Sequence, residues 1–188
     1  MRQKPHALAR AIVAKSRLFT VEEVQLRFSN GVERTYERLV NRNKGGGAVM
    51  IVALEDEHNV ILIEEYCGGT DRYELSLPKG LIEAGEDVLT AANRELQEEA
   101  GFAAHQLEHI TALTLSPGYM NQSIQVVLAR ELYPSTLEGD EPEPIHVSRV
   151  SLRELSQLAL AENFTEGRAL AALYLVRDLL TQRGEFQP

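Results

Sequence analysis

From Asp87 to Ala100 the chain runs without glycine or proline and is rich in good helix formers, so it predicts one strong helix there. Asp87 stands where an N-cap belongs. Glu95, Glu98 and Glu99 fall at i, i+3 and i+4 on that helix. Those positions share one face. Three like charges side by side repel one another and destabilise an isolated helix. A fold that keeps this helix must therefore bring positive charge to that face. Arg94 adjoins the cluster and can tie Glu86 down as a brace. Gly80 and Gly85 let the preceding loop wrap close to a substrate.

The charge of the whole chain points to the same place. The net charge is −9 over 188 residues. Residues 80–102 contribute −5 and residues 138–147 contribute −4, so the remainder is neutral. This acidity argues against a nucleic-acid or anionic-membrane binder, because phosphates attract Lys and Arg. The single cysteine, Cys67, cannot form an intrachain disulfide, which fits a reducing cytoplasm. Arg10 and Lys15 interrupt the apolar stretch near the N-terminus, so it is a poor signal peptide. The longest clear apolar run, Ala48 to Leu54, is far too short to cross a bilayer. A soluble cytoplasmic protein is expected.

Residues 8–40 read as a small antiparallel β unit, with alternation on both sides of Asn30-Gly31. Asn41 to Gly47 ends in three glycines and reads as a turn or linker. Strands are expected at 48–54, 59–64, 73–77, 107–115, 123–130 and 145–150. Ser151 to Glu154 resembles a capping box opening a helix to about Leu160. Thr165-x-x-Arg168 opens a final helix with Leu170, Leu173, Leu175, Val176, Leu179 and Leu180 as its apolar stripe. Mixed strands with two or three helices predict an α/β or α+β fold. Two domains are expected: residues 1–44 as the β unit and residues 45–188 as the main domain.

A solvated acidic helix face would also explain the triple glutamate. Glu86 and the glycines at their spacing favour a metal site instead. Mg²⁺ binds a few carboxylate oxygens and completes its shell with water and substrate phosphates. A metal-dependent phosphate-anhydride site follows.

The segment resembles the Nudix box, G-x5-E-x7-R-E-U-x-E-E-x-G-U, where U is bulky and apolar. Gly80, Glu86, Arg94, Glu95, Leu96, Glu98, Glu99, Gly101 and Phe102 all fit. The resemblance implies a Nudix α/β/α sandwich with a mixed sheet, and hydrolysis of a nucleoside diphosphate linked to another moiety. It implies Mg²⁺, or Mn²⁺, held by Glu95, Glu98, Glu99 and the backbone carbonyl of Lys79. Glu86, Arg94 and Gly80 would support them. Pro117, in Ser116-Pro-Gly-Tyr119, is similar to the downstream proline of the ADP-ribose pyrophosphatase branch. Ser16 to Glu22, Phe28 to Val32, Tyr36 to Arg38, Ala91 to Leu96, Leu132 to Pro134 and Leu137 to Pro144 resemble the ADP compounds hydrolases, the NudE type.

That group is associated with ADP-ribose, diadenosine polyphosphates and NADH, cleaved to AMP and a phosphorylated product, and with homodimers built through the β unit. In its branch the general base lies on a late acidic loop. Asp140 to Ile145 matches that loop, which implies Glu141 as base, with Glu143 in reserve and Glu98 as competitor. Candidate substrate contacts are Phe19, Arg27 and Phe28 in the β unit, Arg72 and the Lys79 side chain near the box, and Pro117. Glu64 and Cys67 stand where relatives often carry arginine, so phosphate contacts from that strand are weakened. The rival readings are a UDP-sugar pyrophosphatase, an RNA 5′-end pyrophosphohydrolase and a non-catalytic Nudix-fold ligand sensor. The chain has no basic run for RNA, and a sensor should carry a broken box.

Overall fold

Alternation before residue 40 gives way to buried apolar runs after it, and the chain folds into two units accordingly. The computed structural model describes residues 3–40 and 47–187. The expected turn at 41–47 lies outside the described residues except for Gly47, and so does the expected domain boundary. The first unit takes residues 1–44 together with 114–123, and the second takes the rest.

In the first unit, β1 (His6–Lys15), β2 (Thr20–Arg27) and β3 (Glu33–Leu39) form an antiparallel sheet in that order. The β2–β3 turn is not the two-residue type that Asn-Gly suggested. Phe28 N–H donates to the Val32 carbonyl at 2.9 Å, so the loop spans Ser29 to Gly31. Only Gly31 takes positive φ, at 82°. The Asn30 side chain instead accepts from Val32 N–H at 3.1 Å, which lets Asn30 keep ordinary φ. Residues 116–120 form a turn whose Tyr119 carbonyl accepts from Leu39 N–H at 2.7 Å.

The second unit holds two sheets. One runs β10 (His146–Ser151), β5 (Asn59–Cys67), β6 (Arg72–Ser76). The other runs β7 (Lys79–Leu81), β4 (Ala48–Ala53), β9 (Ser123–Pro134), β8 (Phe102–Thr114). β4 and β9 pair in parallel, Ala48 opposite Ile124, whereas the β1–β2, β2–β3, β10–β5, β4–β7 and β5–β6 ladders are antiparallel. The mixed sheets and helices are those of the expected α+β sandwich.

Period-two alternation sorts the strand residues between two cores. Val49, Ile51, Ile61 and Ile63 pack against α1 (Val88–Ala100) through Ala91, Ala92 and Leu96. Met50, Val52, Val60 and Leu62 pack on the other side against α3 (Gly167–Arg183) through Ala169, Ala172, Leu173 and Val176. Burying each Ile or Leu contributes about 1.5–3 kcal/mol. Alanines therefore carry much of the α3 seam. Leu175, placed in the stripe by the sequence, is 40% exposed.

Two helix starts differ from expectation. Ser151 caps only a 3₁₀ turn, Leu152–Glu154, followed by the short α2 (Leu155–Leu158). Thr165 does not cap α3: Glu166 stands at the N-cap without a side-chain cap bond, and the Thr165 hydroxyl donates to the buried Glu74 carboxylate at 3.1 Å.

Candidate active site

α1 starts as the sequence predicts. The Asp87 side chain accepts from Leu89 and Thr90 N–H, satisfying two donors that the first turn leaves free. Gly101, at φ 75°, ends the helix in the left-handed region. Between these caps, Glu95 and Glu99 fall on the buried face with Ala91, Ala92 and Leu96. Each is only 8% exposed.

Arg94 gathers the carboxylates around it. Its guanidinium bonds Glu86 at both oxygens, at 3.0 and 2.9 Å. One amino group reaches Glu95 at 2.8 Å and Glu98 at 2.9 Å. The other also donates to the Leu81 carbonyl at 2.9 Å. A planar fork can serve three acids and a carbonyl where an ammonium could not. The Glu86 bonds hold Arg94 above its ordinary pKa and hold Glu86 below its own. Glu86 further accepts from Glu83 N–H at 3.0 Å, which closes the loop onto the helix.

Gly80 leaves the space that Glu95 occupies. A Cβ built on Gly80 would overlap the Glu95 carboxylate. Gly80→Ala is therefore expected to push Glu95 off the cluster and to cost about 1–3 kcal/mol. Thermal melting and metal titration together check this; unchanged metal affinity would separate Gly80 from the site.

Glu99 turns toward a different set of partners. It accepts from the backbone N–H of Lys79, on β7, at 2.7 Å. Burial pushes its carboxyl up to about 8, and burial also raises Glu95. One ligand oxygen each of Glu65, Glu99 and Glu141 lie within 4.8 Å of one another. The Lys79 ammonium pairs with Glu65 in this cluster, and burial lowers its pKa.

Glu65 is the residue that sequence reasoning missed. The signal was present: Ile61 and Ile63 face α1, so Glu65 two positions further must face it too.

The late acidic loop reaches α1 through three backbone and side-chain bonds. Ser135 N–H donates to Gly101, Leu137 N–H to Gln97, and the Ser135 hydroxyl to the Gln97 side chain. Gly139 runs so near Glu98 that a Cβ added to it would just reach van der Waals contact, and Glu141 follows. The two acidic segments of the chain thus meet in the second unit. Glu143 is set apart from the cluster, accepting from the Tyr73 hydroxyl at 2.5 Å.

The other sequence candidates lie elsewhere. Arg27 pairs with Glu33 at 2.7 Å, and Phe28 packs near Tyr36 with ring centroids 6.4 Å apart. Phe19 is exposed. Pro117 sits in the 116–120 turn of the first unit. Arg72 bonds the buried Glu74 at 2.7 Å. Glu64 has a long contact from Asn163 at 3.4 Å, and Cys67 is half-buried, its thiol raised by burial.

Carboxylate oxygens in this number suit a hard divalent cation. The Glu65, Glu99 and Glu141 oxygens, with Glu95 and Glu98 held by Arg94 on the same helix, fit such an ion held against α1.

The model of the NudE-type Nudix hydrolase N-terminal domain matches residues 5–38, and that of the NUDIX domain matches residues 45–173. The chain is 50% identical to the ADP compounds hydrolase NudE of Escherichia coli (strain K12), over 97% of this chain and 96% of that protein. It is 31% identical to the ADP-ribose pyrophosphatase of Bacillus subtilis (strain 168), over 89% and 92% of the two chains. The crystal structure of an ADP compounds hydrolase superposes with a TM-score of 0.90 at 48% identity, covering 99% of both chains.

Proposed function

The chain belongs to the Nudix hydrolase family, and we propose that it cleaves the phosphoanhydride of ADP joined to another moiety, releasing AMP and that moiety's phosphate. The observation that carries this is the meeting of the α1 carboxylates with the 138–143 loop. Relatives named for ADP compounds and for ADP-ribose support the substrate class. ADP-ribose, NADH and diadenosine polyphosphates are the substrates to test.

Glu95, Glu98 and Glu99, with the Lys79 carbonyl, would hold Mg²⁺ or Mn²⁺. When bound, the ion neutralises anhydride oxygens and acidifies water. The chain's own residues do the rest. Arg94 fixes the rotamers of Glu95 and Glu98 from behind, with Glu86 locking Arg94 in turn. Glu141 takes the proton of the attacking water, the water oxygen bonds to phosphorus as the anhydride P–O bond breaks, and the electron pair leaves on the departing phosphate. Glu143 and Glu98 are the competing bases.

Arg27 and Arg72 remain proposed substrate contacts. The Arg27–Glu33 pair is exposed, worth at most about 1 kcal/mol, and easily exchanged for a phosphate. Phe28 and Pro117 are proposed with them.

We infer a homodimer through the first unit. Ile12 and Val13 on β1 are about half exposed, as is Phe19. An edge strand bearing apolar side chains calls for cover. Among the described residues no helix is long and apolar enough to cross a membrane. A cytoplasmic setting is proposed from the single cysteine.

The test is a Mg²⁺-dependent hydrolysis panel of ADP-ribose, NADH, diadenosine triphosphate and UDP-glucose, with AMP detected. Glu141→Gln should lower kcat on the preferred substrate by on the order of a hundredfold, since general-base catalysis contributes about that much or more. Unchanged turnover, with loss in Glu143→Gln, would move the base. Turnover of none of the four would favour a ligand sensor.

A further inference from the structure

Beside the carboxylate cluster lies a cleft of about 280 Å³ between the β5–β6 hairpin and residues 141–146. Glu65 and Glu141 belong to both, so the cleft opens onto the place where the anhydride would be cut. Its walls have a distinctive chemistry. Tyr66 and Tyr73 stand edge to face, 5.7 Å apart, on one side, and Pro142 lies in the loop opposite. Both tyrosines keep about half their surface exposed.

Each tyrosine hydroxyl is already used. Tyr66 donates to Asp71 at 2.6 Å, and Tyr73 donates to Glu143 at 2.5 Å. The ring faces are therefore fixed in position and left open for a ligand. Among the described residues four glutamates and His146 line the cleft, and no lysine or arginine does.

We propose that this cleft takes the sugar of the moiety joined to ADP, with Tyr73 as a specificity-determining residue. This rests on the hydrolase reading above. A further phosphate is disfavoured here, because four glutamates line the cleft, the nearby Lys79 ammonium is taken by Glu65, and His146 is the one basic side chain among the described lining residues. A neutral sugar offers hydroxyls that carboxylates accept, and C–H faces that pack on tyrosine and proline. Glu143, held by Tyr73, presents its second oxygen for such a hydroxyl. The cleft thus selects a sugar next to the cleaved anhydride over a longer phosphate chain.

The experiment compares the parent, Tyr73→Phe and Tyr73→Ala on ADP-ribose and on diadenosine triphosphate with Mg²⁺. Tyr73→Ala should lower the kcat/KM preference for ADP-ribose about tenfold, mostly through KM, as expected for one lost packing contact. Tyr73→Phe keeps the ring and should retain most of the preference. Equal losses on both substrates, or an unchanged ratio, overturn the proposal. Equal damage from Phe and Ala overturns the role of the ring. Calorimetric binding of ADP-ribose in Ca²⁺ gives a measure that needs no turnover. Binding about tenfold weaker in Tyr73→Ala supports the cleft, and equal affinity refutes it, even where hydrolysis itself is not found.

Discussion

Glu99→Gln lowers Mg²⁺-dependent turnover by on the order of a thousandfold while the protein melts no lower than its parent. The carboxylate lies on the buried side of α1, within reach of Glu65 and Glu141. An ion held there supplies several kcal/mol of charge stabilisation in the transition state, which converts to about three orders of magnitude in rate. The amide that replaces it has nearly the same shape. Its carbonyl still accepts the Lys79 N–H that now reaches Glu99 at 2.7 Å. Burial already disfavours the charged form of this carboxyl, so the neutral amide suits the setting at least as well when packing is kept. Steady-state kinetics and a melting curve on one preparation check both halves. Parent-like turnover would sink the metal face, and a large drop in melting temperature would make Glu99 a structural residue instead.

Arg94→Ala acts in the opposite way, on stability before chemistry. It strips the cation from Glu86, Glu95 and Glu98 at once. Breaking a buried pair costs about 3–5 kcal/mol. Arg94 keeps 21% of its side chain exposed, so about 2–4 kcal/mol is expected here. That corresponds to a fall in melting temperature of several degrees. Arg94→Lys should recover only a small part, because an ammonium cannot bond both oxygens of Glu86 while reaching Glu95 and Glu98. Excess Mg²⁺ should raise the melting temperature of the alanine variant more than that of the parent, since the ion then replaces the missing charge. Full recovery with lysine would show that charge alone, not the fork, holds the face together.

The sequence announced the α1 face because three acids at helical spacing are a local pattern, and so were the Asp87 cap and the Glu86–Arg94 brace. The hairpin was local too, although Asn30 used its side chain where the Asn-Gly pattern suggested a backbone turn. What stayed hidden depends on long-range pairing. Glu65 is one acid at a strand end until β5 is laid against α1. The Tyr73–Glu143 bond joins residues seventy positions apart. β7 is too short to show a period, yet it places Gly80 and Lys79 against the helix. The bond from Thr165 to Glu74 likewise joins distant parts of the chain. Residues 114–123 gave no compositional sign that they pack with the first unit.

The parallel pairing of β4 with β9 also orders events in time. Hairpin contacts such as those of β1, β2 and β3 can form as soon as their residues exist. β4 has no such local partner on its β9 side, because Ala48 waits for Ile124. Everything between them, α1 included, is a loop that stays unclosed until β9 arrives. The 138–143 segment comes later still. On a ribosome, the N-terminal sheet can be complete while the carboxylates remain unassembled. A nascent or truncated chain ending before residue 124 therefore carries the whole acidic helix and no working site.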